Sequence, residues 1–410
     1  MARKVLILAN NYPPHFVGGA ELIAHYQAKA LQRLGYEVRA FVGDGVTRAD
    51  RYTLWEDRYD GLPVYRIVLQ SDDFDNRNCN FQHDEVDHQF EAVVDEFRPD
   101  VVHAHNLLGL SVGILKISKQ MGLKTIVTLH DHWGFCFKNT ILLNNEKVCT
   151  NFHGCSGCRP TFATNNGQQA RMNVRNEQIF ESFEAVDTFI SPSKYLAGAY
   201  ARAGLPISKL RVIWYGIDVH RYDALRRVPR ERQIRFTFVG YLGRHKGLHI
   251  LLEAADRLKM RDDFLLNIVG VGDRETEVKQ YVEKKGISDI VRFHGRIDNY
   301  SIESVYQATD VLILPSIWPE NQPVTICEAM ACRIPIIASR LGGSIELVKD
   351  GTSGLLFEPA NAKDLADKMR MILDAPEQIE SMGEAARRVI ASYPLERQVA
   401  KIARIYEGRG

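Results

Sequence analysis

Short apolar runs alternate with amphipathic stretches of helical period along the whole chain. In the first half the runs read KVLILAN, EVRAFVG, DVVHAHN, TIVTLH, TFISPS and LRVIWYG. In the second half they read RFTFVG, LLNIVG, VRFHG, VLILPS, PIIASR and GLLFEP. Such short, near-continuous apolar runs suit parallel strands covered by helices on both faces. Six precede and six follow the charged stretch RRVPRERQ at 226–233. The pattern predicts an α/β chain of two doubly wound, Rossmann-like domains facing each other across a cleft. The expected bounds are 1–222, 223–390, and a terminal amphipathic helix within 391–410 (LERQVAKIARIYE begins just inside it) that packs back toward the first domain. Most runs exit into Gly, Ser, His or Asn, and open α/β sheets bind ligands outside those ends.

The stretch after the first run, GGAELIAHYQAKALQRLGYEV, carries apolar residues at 22, 23, 26, 30, 31 and 34. That is one stripe of a helix, ending before Gly35. Gly18 and Gly19 stand at its start, where free N–H groups favour an anionic or strongly polar partner. A plain tight turn needs glycine as well. No GxGxxG follows the first run, which removes the main support for a dinucleotide site. The polar, acidic segment 70–90 reads as a long surface connection.

Composition narrows the picture. A chain of 410 residues, 45% hydrophobic, is too long for one ordinary core. Lys and Arg total 52 against 51 Asp and Glu, a balance that argues against nucleic acid as the main partner. The N-terminal apolar run Val5–Ala9 stops at Asn10–Asn11 with no cleavage site behind it, and reads as a buried strand. No stretch approaches the roughly 20 apolar residues of a membrane span. A cytoplasmic protein is expected. Apolar residues in HFVGG (15–19) and LLGLSVGILKISK (107–119) offer surface for peripheral contact with the inner membrane face, although core packing explains them equally.

The chemistry concentrates in PSIWPENQPVTICEAMA, 315–331. VLILPS is a buried strand, IWPENQ its exit loop, and Pro323 suits the first position of the following helix. The free N–H groups of Val324 and Thr325 then point back toward the loop, where a diphosphate or sugar hydroxyl would meet them. Glu320 can accept hydrogen bonds from sugar hydroxyls, and Glu328, in the second turn, can reach a ribose. A second strand exit, FVGYLGRHKG at 238–247, brings Arg244 and Lys246, two cations suited to a pyrophosphate. A third, ASRLGGSIELVKDG, opens a helix with Gly342–Gly343. Turn glycines and solvated charges explain each one alone; three in one half weigh together.

These residues as a set resemble the retaining glycosyltransferases of family 4, whose fold, GT-B, has two Rossmann-like domains. E-x7-E is matched by Glu320 and Glu328. GGSIELVKDGTSGLLFEP matches the family's glycine-rich run, and WYGID resembles its N-G-I-D before the interdomain linker. GGAE and TLHD match its N-terminal motifs. The resemblance implies a nucleotide-sugar donor (UDP- or GDP-type), a hydroxyl acceptor that is a sugar, lipid-linked sugar or small molecule, and no cofactor for catalysis. Glu320 would bind donor-sugar hydroxyls, and the amides of Asn321, Gln322, Pro323 and Val324, with Thr325, would border sugar and diphosphate. Glu328 would bind the ribose. Lys246, with Arg244 and Gly240 of the same loop, would neutralise the diphosphate. His130 would sit beside the transferred sugar, with Gly18–Gly19 facing acceptor or phosphate. The family usually places Arg directly after the glycine of the phosphate loop; this chain has Tyr241 there and Arg244 three residues on. Without an evident nucleophile, retention would come from front-face attack, a diphosphate oxygen taking the acceptor proton. A sugar-nucleotide epimerase, a phosphorylase and a non-catalytic nucleotide-sugar-binding protein are the competing readings.

Cys136, Cys149, Cys155 and Cys158 form a C-x12-C-x5-C-x2-C pattern that suits tetrahedral zinc in a structural role. Reduced structural cysteines under a long loop are the alternative. The other cysteines, 79, 327 and 332, read as ordinary thiols. His132 and His153 flank the cluster, and His103 and His105 mark another strand exit as cleft-lining candidates. The number of subunits is left open.

Overall fold

The computed structural model describes residues 3–409 apart from 16–17, 154, 231 and 299–300. The chain divides into two compact units, Met1–Tyr215 with Leu395–Gly410, and Gly216–Pro394.

The first unit holds strands β1 (Lys4–Ala9), β2 (Glu37–Asp44), β3 (Leu54–Tyr59), β4 (Leu62–Val68), β5 (Val101–Ala104), β6 (Lys124–Thr128), β7 (Thr161–Ala163), β8 (Gln169–Arg171), β9 (Thr188–Ser191) and β10 (Leu210–Val212). Eight of them form one sheet in the order β10-β9-β6-β5-β1-β2-β4-β3, while β7 and β8 make a separate hairpin. Only β3 runs antiparallel in that sheet, through a hairpin with β4. Its turn is Asp60–Gly61, both at positive φ (48° and 75°), the combination a tight two-residue hairpin demands. This hairpin is absent from the sequence reading. The sheet is buried on both sides: Leu6, Leu8 and Phe41 belong to one core, Val5, Ile7 and Val42 to the other. The helix Leu395–Tyr406 closes the second core, where Val399, Ile402 and Tyr406 pack with Leu31 of the helix Gly19–Arg33.

The second unit holds β11 (Ile234–Val239), β12 (Phe264–Val269), β13 (Val291–Gly295), β14 (Val311–Leu314), β15 (Ile336–Ser339) and β16 (Gly354–Phe357), all parallel, in the order β13-β12-β11-β14-β15-β16. Each of the six apolar runs read from the sequence holds one of these strands. The order reverses between β11 and β14. At such a switch point the crossover helices leave on opposite faces, and a crevice opens outside the strand ends.

Of the two candidate membrane-facing stretches, Phe16 and Val17 lie outside the described residues. The other is core, not surface: Leu107, Leu110, Val112, Ile114 and Leu115 are all buried in the first unit. Among the described residues no helix is long and apolar enough to cross a membrane.

Candidate active site

The exits of β11 and β14 meet at the switch point of the second unit. β14 continues into a chain segment in which every residue from 311 to 332 is buried except Val324 and Thr325. Glu320 is therefore no solvated loop charge; it is 6% exposed. Its Oε1 accepts three hydrogen bonds, from Lys246 Nζ at 2.8 Å, Ser316 Oγ at 2.6 Å and the Trp318 indole at 2.9 Å. Burial alone would push this carboxyl up. The Lys246 charge, its hydrogen bond and that of Ser316 outweigh it and hold Glu320 below the usual carboxylate range. The Lys246 ammonium also lies 5.2 Å from the Trp318 ring centre, over its face.

Close backbone approach locks these loops together. Ile317 N–H donates to the His245 carbonyl at 2.9 Å, and Gly343 N–H to the Glu320 carbonyl at 2.6 Å. A Cβ on Gly343 would lie 1.4 Å from the Asn321 carbonyl oxygen, and one on Gly247 1.9 Å from that of Pro315. The Gly342–Gly343 loop after β15 is thus the backing of the Glu320 loop. Burial first, then the neighbouring Lys246 charge, pushes His245 down to about 4, so it stays neutral.

The helix that follows spans Val324–Ala331, so Pro323 is its N-cap residue and the helix begins one position later than the sequence suggested. Its first-turn N–H groups have no acceptor inside the helix. Glu328, 4% exposed, is clamped from below: Tyr306 donates its hydroxyl to Oε2 at 2.6 Å, and Tyr222 adds a second hydrogen bond. Burial raises its pKa despite these donors and the Arg221 charge. Arg244 goes elsewhere, its guanidinium 3.8 Å from Glu277 Oε1 and its side chain 42% exposed. Gly240 follows β11 directly and its N–H donates to the Val269 carbonyl, and the Tyr241 hydroxyl accepts from the Asp273 N–H. Ser316, Trp318, Tyr306 and Tyr222 were missed by sequence reasoning. The first two lie within the quoted stretch; the tyrosines carry no local signal.

In the first unit His130 sits at the exit of β6. Its Nε2 is 3.0 Å from His105 Nδ1, and its Nδ1 is 2.6 Å from the Tyr215 hydroxyl. His103 lies behind His105, their rings tilted by 31° at 4.6 Å between centres, and bonds Tyr406 and Thr128. Burial pushes His103 and His130 down to about 3 and His105 well below its usual value, so all three are neutral. Gly18 caps the helix Gly19–Arg33, its N–H donating to Glu21 Oε2 at 3.1 Å. Glu21 is pushed up to about 7, by burial first and by its neighbour Asp131 in part; burial raises Asp131 to about 6.

Residues 17–221 match the Glycosyltransferase Family 4 domain, and residues 224–389 match Glycosyl transferases group 1. The chain belongs to glycosyltransferase family 4. This family 4 transferase is 26% identical over 415 residues to D-inositol 3-phosphate glycosyltransferase 2 of Catenulispora acidiphila, covering 95% of this chain and 90% of that one. It is 24% identical over 378 residues to an uncharacterized glycosyltransferase of Methanocaldococcus jannaschii, covering 88% and 87%. Among solved structures it resembles Anabaena HepE in complex with UDP-glucose, with a TM-score of 0.72 at 19% identity over 99% of both chains. Its fold is GT-B, two Rossmann-like units.

The expectation of zinc finds no support in this family 4 chain. Among the described residues no three His, Cys, Asp or Glu side chains are grouped to hold a metal ion, so zinc at Cys136, Cys149, Cys155 and Cys158 is not supported. The four thiols line one small pocket with Phe135 and Phe152. They serve there as packed, hydrogen-bonded groups: Cys149 Sγ is 3.3 Å from the Asn151 carbonyl, and Asn176 Nδ2 is 3.4 Å from Cys155 Sγ. Burial pushes Cys136 up to about 11, so its thiol is protonated near neutral pH. All seven cysteines are free thiols.

Proposed function

We propose that this chain is a retaining hexosyltransferase that moves a sugar from a UDP- or GDP-type donor to a hydroxyl acceptor, within glycan, glycolipid or natural-product biosynthesis. One observation carries the donor side. In a segment buried from 311 to 332, only Val324 and Thr325 are half-buried and reach solvent in part. Those two residues begin a helix four positions after Glu320, whose carboxylate holds Lys246. A diphosphate at that opening meets helix N–H donors and a fixed ammonium together. The UDP-glucose in the HepE structure is consistent with this class of donor.

The roles then follow. Lys246 neutralises the diphosphate, and Glu320 both fixes Lys246 and accepts from donor-sugar hydroxyls. Asn321, Gln322 and Pro323 shape the sugar side, and Gly240 lets the phosphate loop approach. Glu328, clamped by Tyr306 and Tyr222, presents its carboxyl to the ribose. Arg244, drawn toward Glu277, plays the lesser electrostatic part. In the transfer the acceptor oxygen bonds the anomeric carbon on the face that the diphosphate leaves. The breaking bond's electron pair stays on the diphosphate, and a diphosphate oxygen takes the acceptor's proton. The protein's contribution is preorganised charge on the leaving group. His130 and Gly18–Gly19 belong to the acceptor side. His130, neutral near pH 7, acts as a hydrogen-bonding partner and not as a charged acid.

Glu320→Gln tests the assignment. Transfer falls steeply while calorimetric nucleotide binding survives; unchanged transfer removes Glu320 from the site.

A further inference from the structure

We infer that Arg387 is a positioning residue for the donor site: it fixes the carboxylate of Glu328 by pinning the turn that carries Tyr222 to the end of the helix that carries Glu328. The inference rests on the reading of Glu328 as the ribose-binding group. Every residue involved lies within the second unit, Gly216–Pro394.

Glu328 takes its two tyrosine hydrogen bonds from two separate elements. Tyr306 belongs to the short helix Ile302–Gln307, and Tyr222 ends a single turn of 3-10 helix, Val219–Tyr222. So short a turn has few hydrogen bonds of its own, and contacts from outside decide where it lies. The Asp218 carboxylate accepts from the N–H groups of His220 and Arg221 at 3.2 and 3.4 Å. That bond pair caps the turn but does not hold it against Glu328.

Two arginines do. Arg387, on the helix Gln378–Ala391, donates from Nη1 to the Val219 carbonyl at 2.9 Å and from Nη2 to Asp223 Oδ1, gripping the first residue of the turn and the residue just after it. Its Nη1 also donates to the Ala331 carbonyl at 2.9 Å. Ala331 is the last residue of the Glu328 helix, where carbonyls lack partners inside the helix and a cation is favoured. A guanidinium suits this junction because its donors are fixed in one plane. The Arg387 side chain is 12% exposed, so water competes weakly for these bonds. Its seat is close: one turn earlier, a Cβ on Gly383 would lie 2.0 Å from the Arg333 carbonyl oxygen, so this helix abuts the chain just past Ala331. The second arginine, Arg221, donates Nε to Glu303 Oε1 at 2.7 Å and ties the turn to the helix of Tyr306. The contacts close a ring through Glu328, Tyr306, Glu303, Arg221 and Tyr222, and Arg387 fastens that ring to the end of the Glu328 helix. Without Arg387 the turn loses its hold on that helix end, and Glu328 loses a fixed donor in Tyr222.

Calorimetric titration of the intact chain with UDP and with dideoxy-UDP, which lacks both ribose hydroxyls, tests the assignment; GDP and its dideoxy form replace them if GDP binds better. Wild type is expected to prefer the ribonucleotide. Arg387→Ala is expected to cut that preference roughly fivefold or more, through weaker UDP binding alone, with dideoxy-UDP affinity unchanged. Tyr222→Phe is expected to do the same, and the double variant to lose no more than either single one, because Arg387 acts through Tyr222. Arg387→Gln removes the charge and the fork with a smaller loss of volume, and gives the same reading if Arg387→Ala does not fold. Equal weakening toward both nucleotides in a folded variant marks a purely structural tie and overturns the proposal. An undiminished preference, or additive losses in the double variant, overturns it as well. A wild type that binds both nucleotides alike overturns it at its base, in the ribose reading of Glu328, and so separates that failure from the failure of Arg387.

Discussion

Lys246→Met puts the site's electrostatics under direct strain. In the native protein the Glu320 carboxylate gives one oxygen to three donors, of which only Lys246 carries charge. The side chains of the pair are 21% and 8% exposed. Methionine keeps most of the lysine's volume and its contact with Trp318, but leaves the carboxylate buried without a counter-charge. Breaking a buried pair by removing one partner costs about 3–5 kcal/mol, and the partial exposure of Lys246 places this one near about 3 kcal/mol. For a unit the size of Gly216–Pro394 that lowers the melting temperature by ~6–12 °C. Differential scanning calorimetry of the intact chain near neutral pH reads the shift. The sign with pH is also set. In the variant, Glu320 loses the charge that held its pKa down, and burial then raises it above the unfolded value. The deficit against wild type therefore shrinks as pH falls through the carboxylate range and Glu320 takes up a proton. Adding Glu320→Gln removes the orphaned charge and recovers about 2 kcal/mol. A single variant that melts with wild type, or a double variant less stable than the single, refutes the reasoning.

Two further outcomes can be measured. Gly343→Ala is expected to destabilise by about 3 kcal/mol and to weaken nucleotide binding, because its Cβ would fall 1.4 Å from the Asn321 carbonyl oxygen at an otherwise ordinary φ of −75°; thermal melting and calorimetric titration check both. His103, fully buried and pushed down to about 3, binds fewer protons folded than unfolded, so its contribution is complete above its unfolded pKa of about 6.5 and is lost as pH falls toward 3. Between about pH 7 and pH 5 wild type should lose about 2 kcal/mol more stability than His103→Gln in urea denaturation.

The strands of the second unit were legible because each is a short run buried on both faces, a signal that needs no partner to be read. The hairpin β3–β4 was equally available in Asp60–Gly61, but its flanks LWEDRY and LPVYRIV mix charge with apolar residues and do not stand out as runs. The E-x7-E spacing pointed to two carboxylates, and both are buried. It could not show that Glu320 holds Lys246, because that contact crosses 74 positions and depends on β11 lying beside β14. The same limit applies to Tyr306 beneath Glu328. His103 and His105 share a strand face by their spacing, which the sequence displays; that Tyr406 bonds His103 and His130 bonds His105 is a product of topology. The cysteine spacing supplied a metal's count of thiols, but among the described residues no three such side chains are grouped to hold one.

The central claim is that the loops after β11 and β14 hold a nucleoside diphosphate. Isothermal titration of the intact chain with UDP, GDP and dTDP tests it most directly. Binding of UDP or GDP is expected, with affinity reduced at least about tenfold, or 1.4 kcal/mol, in Lys246→Met and retained in Glu320→Gln. Binding of none of the three, or equal affinity in wild type and Lys246→Met, contradicts it.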